Sequence, residues 1–309
     1  MIPQFPQFKP IELSDREEVE KVTDKYPPYS DFNFVSMWSW DTKGQMRLSL
    51  LDGNLVVRFT DYITGQPFYS FLGNTNVNET ALKLIELSKK EGLEPVLKLV
   101  PEDVVKNMDG ALFGIAQDQD HFDYILSAEN LQAHTSKKLR YHFNLSKRLL
   151  DGSGGKLVVR PVDLMTENQK KEVLALTNTW IQNKVSQSKD TVSMIEIDAL
   201  QRFFLMDAKD NISLGIFYNE KLVGCSINDP LHGDYSLCHF MKADSIFKGI
   251  YSCLFLETAK TMLGMGKKYI NIEQDLGLAN LRQSKESFEP AMFLKKYKIT
   301  AASVDNPLV

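Results

Sequence analysis

SLGIFYNEKLVGCSINDPLHGDYSLCHFMKA, residues 213–243, reads as three consecutive strands. SLGIFY and LVGCSI are short apolar runs with β-branched and aromatic side chains, and the tight turn at Asn219-Glu220-Lys221 joins them. DYSLCHFMKA supplies the third strand. Downstream, Lys248 to Leu263 predicts a helix, KYINIE (268–273) a strand, a helix opens near Gly277, and a last strand falls near Lys298 to Ala302. Upstream, helices are expected over Thr166 to Val185 and over Met194 to Asp207. The order is two helices, three antiparallel strands, helix, strand, helix, strand.

The first half shows the same order. SDREEVEKVTDKY predicts a helix capped by Ser14 or Asp15 and ending before Pro27. YPPYSDFNFVSMWSW adds a short helix expected to be packed deeply by Phe34, Trp38 and Trp40. QMRLSLLDGNLVVRF is a hairpin turning at Asp52-Gly53, and Pro67 to Leu72 is the third strand. A helix over Asn78 to Lys90 stops at Gly92, and PVLKLV is a strand. A short helix near Glu102 to Asn107, a glycine-containing loop, the strand FDYIL and a long basic helix over Leu131 to Leu150 follow; DGSGG, 151–155, ends that helix. An element order repeated at this length is an internal repeat, and it is the order of the GNAT acyltransferase fold. The expected class is therefore α/β (α+β), two tandem GNAT-like domains over 1–150 and 156–309, each with a mixed, mainly antiparallel sheet flanked by helices. One mixed α/β domain carrying an insertion is the alternative.

Composition bounds the function. The 309 residues are 43% hydrophobic and 25% charged, which excludes collagen-like, disordered and coiled-coil classes. Lys plus Arg is 36 against 40 Asp plus Glu, net −4, so no global positive field recruits nucleic acid or anionic lipid. No run reaches the roughly 18 apolar residues of a membrane span, and MIPQFPQFKP does not resemble a signal peptide; a cytoplasmic protein is expected. Cys225, Cys238 and Cys253 read as small apolar residues. His121, His134, His142, His232 and His239 show no metal-ligand spacing, so neither a metal site nor a required cofactor is expected. Serine hydrolase, P-loop and Rossmann glycine motifs are missing from the sequence.

Two windows carry candidate chemistry. In KKYINIEQDLGLANLRQSKESFEPAMFLKKYK, 267–298, a strand period of two sends Ile270 and Ile272 to one face and Asn271, Glu273 and Asp275 to the other. The helix beyond Gly277 puts Arg282 and Lys285 on one face, with Leu278 and Leu281 as apolar anchors. Read functionally, Glu273 or Asp275 takes a proton from an attacking amine, and Arg282 or Lys285 binds a phosphate or carboxylate. Read structurally, the four are an ion-pair network fixing helix to strand, and both readings stand.

The second window, SKKLRYHFNLSKRLL, 136–150, lies in a stretch with no acid between Leu131 and Leu150. Helical spacing aligns Lys137, Arg140 and Asn144, with Tyr141, His142 and Phe143 interleaved: a stripe able to grip phosphates and stack bases, or a solvated basic face. The turn DSIFKGIYS has only Gly249 where a coenzyme A pyrophosphate loop carries several small residues, which supports coenzyme A weakly.

YPPYSDFNFVSMWSW, DYIL with SKKLRYHFN, Gly249-Ile250-Tyr251 and YINIEQDLGLANLRQSKESFEP together resemble a bacterial family related to the C-terminal domain of phosphatidylglycerol lysyltransferase. The resemblance implies a tandem GNAT fold and transfer of an amino acid from aminoacyl-tRNA; peptidoglycan-branching aminoacyltransferases are similar in architecture. Residue by residue it singles out Asn271, Glu273, Asp275, Gly277, Arg282, Lys285 and Pro290, with Lys138, Asn144, Gly249 and Tyr251. The chain departs from the family pattern at His142-Phe143, where Lys-Arg is expected, and at Met241 and Asp244, where Glu and Asn are expected.

The expected activity is acyl transfer, with aminoacyl-tRNA or an acyl-coenzyme A as donor. Glu273 or Asp275 is the expected base and Tyr251 the proton donor to the leaving group. Asn271, Arg282, Lys285, Lys138, Arg140, Asn144 and Gly249 are the expected substrate contacts. The partners would be a tRNA acceptor end and a small-molecule or peptide amine, rather than a lipid. An acetyl-coenzyme A-dependent N-acetyltransferase, or a degenerate GNAT-fold binding module, is the alternative.

Overall fold

The computed structural model describes residues 1–61, 64–185, 195–207 and 209–302. The chain forms two compact units, Met1–Phe122 with Leu294–Val309, and Asp123–Phe293. The division therefore falls before the basic helix, which belongs to the second unit, whereas the sequence order placed that helix at the end of the first half.

The first unit begins with β1 (Lys9–Pro10), α1 (Arg16–Thr23) and α2 (Phe34–Trp40). Glu17 and Glu18 in the first turn of α1 and Lys21 in the last suit the helix dipole. In α2, Phe34 and Met37 are buried but Trp38 and Trp40 are only half-buried, so the deep packing expected of the tryptophans falls to their neighbours. β2 (Arg47–Leu51) and β3 (Asn54–Thr60) form the expected hairpin; Asp52 and Gly53 both take positive φ, 53° and 82°, as a two-residue primed turn requires. β4 (Pro67–Leu72), α3 (Val77–Lys90), β5 (Val96–Pro101), α4 (Glu102–Val105) and β6 (Phe113–Gln117) follow. β6 lies where the sequence suggested only a loop: four of its five residues are exposed, which removes the apolar alternation that marks a strand.

The second unit is built on one sheet with strand order β13-β7-β12-β11-β10-β9-β8. Its elements are β7 (Asp123–Ser127), α5 (Ala128–Ala133), α6 (Lys137–Gly152), β8 (Leu157–Pro161), α7 (Glu167–Val185), α8 (Glu196–Phe203), β9 (Ile212–Tyr218), β10 (Lys221–Pro230), β11 (Tyr235–Ala243), α9 (Ile250–Gly264), β12 (Tyr269–Asn271), α10 (Ala279–Ser287) and β13 (Met292–Leu294). Met194, the expected start of the helix seen as α8, lies outside the described residues. β9 and β10 turn through Asn219 and Glu220, at φ 47° and 65°. The long basic helix is broken: α5 stops at His134, which adopts a left-handed φ of 50°, and α6 restarts behind Ser136, whose side chain accepts the Leu139 N–H.

Helices cover both faces of this sheet. Ser226 pairs with Met241 and Cys225 with Lys242 across β10 and β11, so the two pairs point to opposite faces. On one face Ser226 meets Thr258 of α9 at 3.0 Å. On the other Lys242 meets Glu196 of α8. Tyr124, Leu131, Leu139, Leu256, Met262, Ile270, Ile272 and Phe288 form an apolar core beneath α9, and Ile270 and Ile272 enter it together. The antiparallel-dominated, helix-flanked mixed sheet is the expected class.

The last strand, β14 (Lys296–Ala301), returns to the first unit and lies between β5 and β6, antiparallel to both. Lys296 is fully buried there and ion-pairs with Asp31.

Candidate active site

Every residue of the candidate site lies in the second unit. β11 and β12 run parallel for three pairs, Tyr235 with Tyr269, Ser236 with Ile270 and Leu237 with Asn271. Beyond them β11 continues to Ala243, while the chain leaving β12 stays with β7: the Ile272 N–H donates to the Tyr124 carbonyl at 2.9 Å, and the Tyr124 N–H donates to the Glu273 carbonyl at 3.1 Å. Two parallel strands thus part company, and an opening forms at the carboxyl end of β12.

The strand KYINIE is shorter than its sequence suggests because Glu273 takes a left-handed φ of 60°, followed by Leu276 at 56° and Gly277 at 72°. A non-glycine residue in that region carries about 1 kcal/mol of strain. Buried Asn271 holds it, its side-chain oxygen accepting the Glu273 N–H at 2.7 Å. Strict alternation across Asn271, Glu273 and Asp275 is consequently lost.

Asp275 is fully buried and saturated. Arg282 binds it with two nitrogens, at 2.8 and 3.0 Å, the Tyr124 hydroxyl donates at 2.5 Å and the Gly277 N–H at 2.8 Å. Burial pushes its carboxyl upward, but these donors outweigh it and hold the group below the ordinary carboxylate range. Lys285 stacks over Tyr124 at 5.7 Å and donates to the carbonyls of Ile272 and Gln274, at 2.5 and 2.6 Å. Burial pulls its ammonium down to about 8, against the opposing pull of Glu273, Asp123 and Asp275. Arg282 thus reaches this segment through the Asp275 carboxylate and Lys285 through backbone carbonyls, rather than through the strand-period alignment the spacing predicts. Leu278 and Leu281 do not anchor α10, which has no fully buried residue; Phe288, just past its end, enters the core instead.

Tyr251 on α9 lies against the Trp180 side chain and the Ala243 backbone, and burial raises its hydroxyl above an ordinary tyrosine's. Lys242 reaches Glu196 at 2.9 Å and sits 4.4 Å from the Trp180 ring centre. Burial opposes its charge, but Glu196 raises its pKa, and the charge of Glu273 adds to this. Lys242, Glu196, Trp180 and Tyr124 are the residues that sequence reasoning missed. A lysine in the apolar strand DYSLCHFMKA and a tyrosine in FDYIL were the available signals, but the partner of Lys242 lies 46 positions away.

The basic helix divides by face. Leu139, His142 and Ser146 are buried, while Lys137, Lys138, Arg140, Tyr141, Asn144, Lys147 and Arg148 are exposed. His142, one departure from the family pattern, bridges Ser252 on α9 at 2.8 Å and Ser287 on α10 at 3.1 Å and stacks on Phe288. Gly249, at φ 95°, begins α9 where α6 passes closely; a methyl group added there would lie 2.8 Å from the Leu145 carbonyl oxygen. Close helix packing thus accounts for this glycine.

A mixed sheet whose two parallel strands separate, with polar side chains gathered at the separation, defines the class as a GNAT-like acyltransferase fold. The family model described as phosphatidylglycerol lysyltransferase, C-terminal, matches residues 24–300, and the chain belongs to that family. A conserved protein of unknown function from Bacteroides thetaiotaomicron is 25% identical and superposes with a TM-score of 0.82, over 98% of this chain and 100% of its own. L-PGS from Bacillus licheniformis is 14% identical with a TM-score of 0.62, over 98% and 95%. The C-terminal domain of a protein described as a lysylphosphatidylglycerol synthetase, from Agrobacterium fabrum, is 10% identical with a TM-score of 0.63, over 94% and 93%. No curated protein matches the chain. Among the described residues no helix is long and apolar enough to cross a membrane.

Proposed function

We propose that the protein transfers an aminoacyl group from aminoacyl-tRNA to an amine or hydroxyl acceptor, with the chemistry at the opening between β11 and β12. The observation that carries this reading is the division of labour between two nearby carboxylates: Asp275 is saturated by four hydrogen bonds, while Glu273 is held in a strained conformation beside Lys285. Glu273 is the base and Asp275 the residue that positions Arg282 and Tyr124.

In the reaction the acceptor's lone pair attacks the ester carbonyl carbon as Glu273 takes the acceptor proton. The tetrahedral oxyanion is met by backbone N–H groups of β11 beyond Leu237, where pairing with β12 has ended. Collapse breaks the bond to the ribose oxygen, which takes a proton from Tyr251. The raised pKa of Tyr251 keeps that proton in place at neutral pH, and Glu273 returns one to the tyrosinate through solvent. The exposed cations and aromatics of α6 serve the phosphates and bases of the acceptor end. Coenzyme A is the weaker donor, because the Leu145 carbonyl lies against Gly249 where a pyrophosphate would need free N–H groups.

The test is transfer of labelled amino acids from pooled charged tRNA into a stable product, with a cell lysate as the acceptor source. Glu273→Gln should lower the rate by about 10²–10⁴. Full transfer by that variant sinks the assignment of the base, and no transfer by folded wild-type protein sinks the reading.

A further inference from the structure

Four backbone hydrogen-bonding groups at and beside Glu273 are tied down, and a single side chain supplies two of the ties. The Lys285 ammonium of α10 donates to the Ile272 carbonyl at 2.5 Å and to the Gln274 carbonyl at 2.6 Å, the two carbonyls that flank Glu273. The Glu273 N–H is bound to the Asn271 side-chain oxygen at 2.7 Å, and the Glu273 carbonyl accepts from the Tyr124 N–H at 3.1 Å. A non-glycine residue at a φ of 60° persists only where its surroundings over-determine the backbone.

A lysine suits this task. Its ammonium carries several hydrogens on one compact nitrogen, so one side chain can meet two carbonyls that face the same point. The nitrogen is fixed from a further side by the Tyr124 ring, 5.7 Å away, and the hydroxyl of that tyrosine is committed to Asp275. An ordinary ion pair between α10 and this segment would end on a carboxylate, and Arg282 already makes that pair with Asp275. Lys285 instead reaches back 13 and 11 positions to the main chain on either side of one residue, which is the base assigned above.

We propose that Lys285 is a positioning residue that clamps the backbone on both sides of Glu273 and so holds the base in place, rather than a contact for a phosphate or carboxylate of the substrate. The inference rests on the aminoacyl-transfer reading for the role of Glu273. The clamp itself is a property of the folded chain and is tested without any activity.

Hydrogen exchange of individual amides in the full chain, followed by nuclear magnetic resonance, is the first measurement. Lys285→Met, or Lys285→Gln should the first variant fail to fold, should speed exchange of the Glu273 and Tyr124 amides by about 10–100-fold while the amides of α9 keep their wild-type rates. Steady-state transfer is the second. Lys285→Met should lower kcat by about 10²-fold and leave KM for charged tRNA unchanged. In a Glu273→Gln background the same substitution should cost nothing further, because it acts through Glu273. Unchanged exchange at Glu273, acceleration that spreads equally to α9, a raised KM with kcat retained, or a loss that multiplies with that of Glu273→Gln overturns the proposal. The two readings fail separately: faster exchange at Glu273 with no transfer by wild type supports the clamp and sinks the transfer reading, and transfer with unchanged exchange does the reverse.

Discussion

Asp275 and Glu273 lie two positions apart, and their surroundings separate them chemically. Asp275 is completely enclosed, whereas its partner Arg282 keeps about a third of its side chain in water, 35% exposed. Asp275→Asn loses the bidentate pair and should cost about 2–3 kcal/mol in urea denaturation, below the 3–5 of a pair enclosed on both sides. Because the folded pKa of Asp275 is depressed, its stabilisation is complete above the unfolded value near 4 and disappears as pH falls through the folded value. The stability difference between wild type and Asp275→Asn should therefore shrink below about pH 4; a difference that persists there contradicts the assignment. Lys285 gives the opposite end of the profile. With a folded pKa of about 8, its burial penalty is lifted as pH rises from there towards the unfolded value of about 10.4. Its contribution to stability should rise over that interval, and the rise should be missing in Lys285→Met.

At the scale of elements, the docking of α6 on α9 and α10 depends on one glycine and one histidine. Gly249→Ala places a methyl group against the Leu145 carbonyl in a backbone region that disfavours side chains. It should cost about 1–3 kcal/mol and speed amide exchange along α6. Burial lowers the pKa of His142, so its neutral form is the one that docks. The contact is intact above the unfolded value of about 6.5 and is lost as pH falls through the folded value. Hydrogen exchange in α6 should accelerate on acidification in wild type and much less in His142→Phe. A rate in α6 that does not depend on pH, after correction for intrinsic exchange, would falsify this. The β9–β10 turn and the Asp52-Gly53 hairpin were readable from local sequence, because turn chemistry is a property of adjacent residues. The break between α5 and α6 was not: Leu131 to Leu150 has unbroken helical periodicity, and the capping by Ser136 competes with a helix that propensity alone would continue.

For the whole molecule, the route of the last strand is decisive. β14 inserts between β5 and β6, so the first unit is completed by residues that follow the second. Lys296 and Asp31 are 0% and 5% exposed, and Lys296→Met should cost about 3–5 kcal/mol by leaving a buried carboxylate without its cation. The double variant Asp31→Leu with Lys296→Met should recover much of that loss, since an apolar pair replaces a buried charge pair at little net cost. Thermal unfolding of the three proteins checks the order; a double variant less stable than the single one refutes it.

The sequence by itself determined the order of most of the strands and helices, though not β6, β8, β13 or the break between α5 and α6, together with the mixed and mainly antiparallel class and the grouping of Asn271, Glu273, Asp275, Arg282 and Lys285 within one window. These depend on spacing along the chain, and the period of a strand or helix carries that spacing into space. Only the tertiary structure decided where the chain divides, that Asp275 is saturated while Glu273 is strained, and that Gly249 accommodates a helix. It alone brought Lys242 to Glu196 and Trp180. Each of these depends on residues distant in sequence meeting across a sheet or between helices, and side-chain saturation and burial exist only once those neighbours have met.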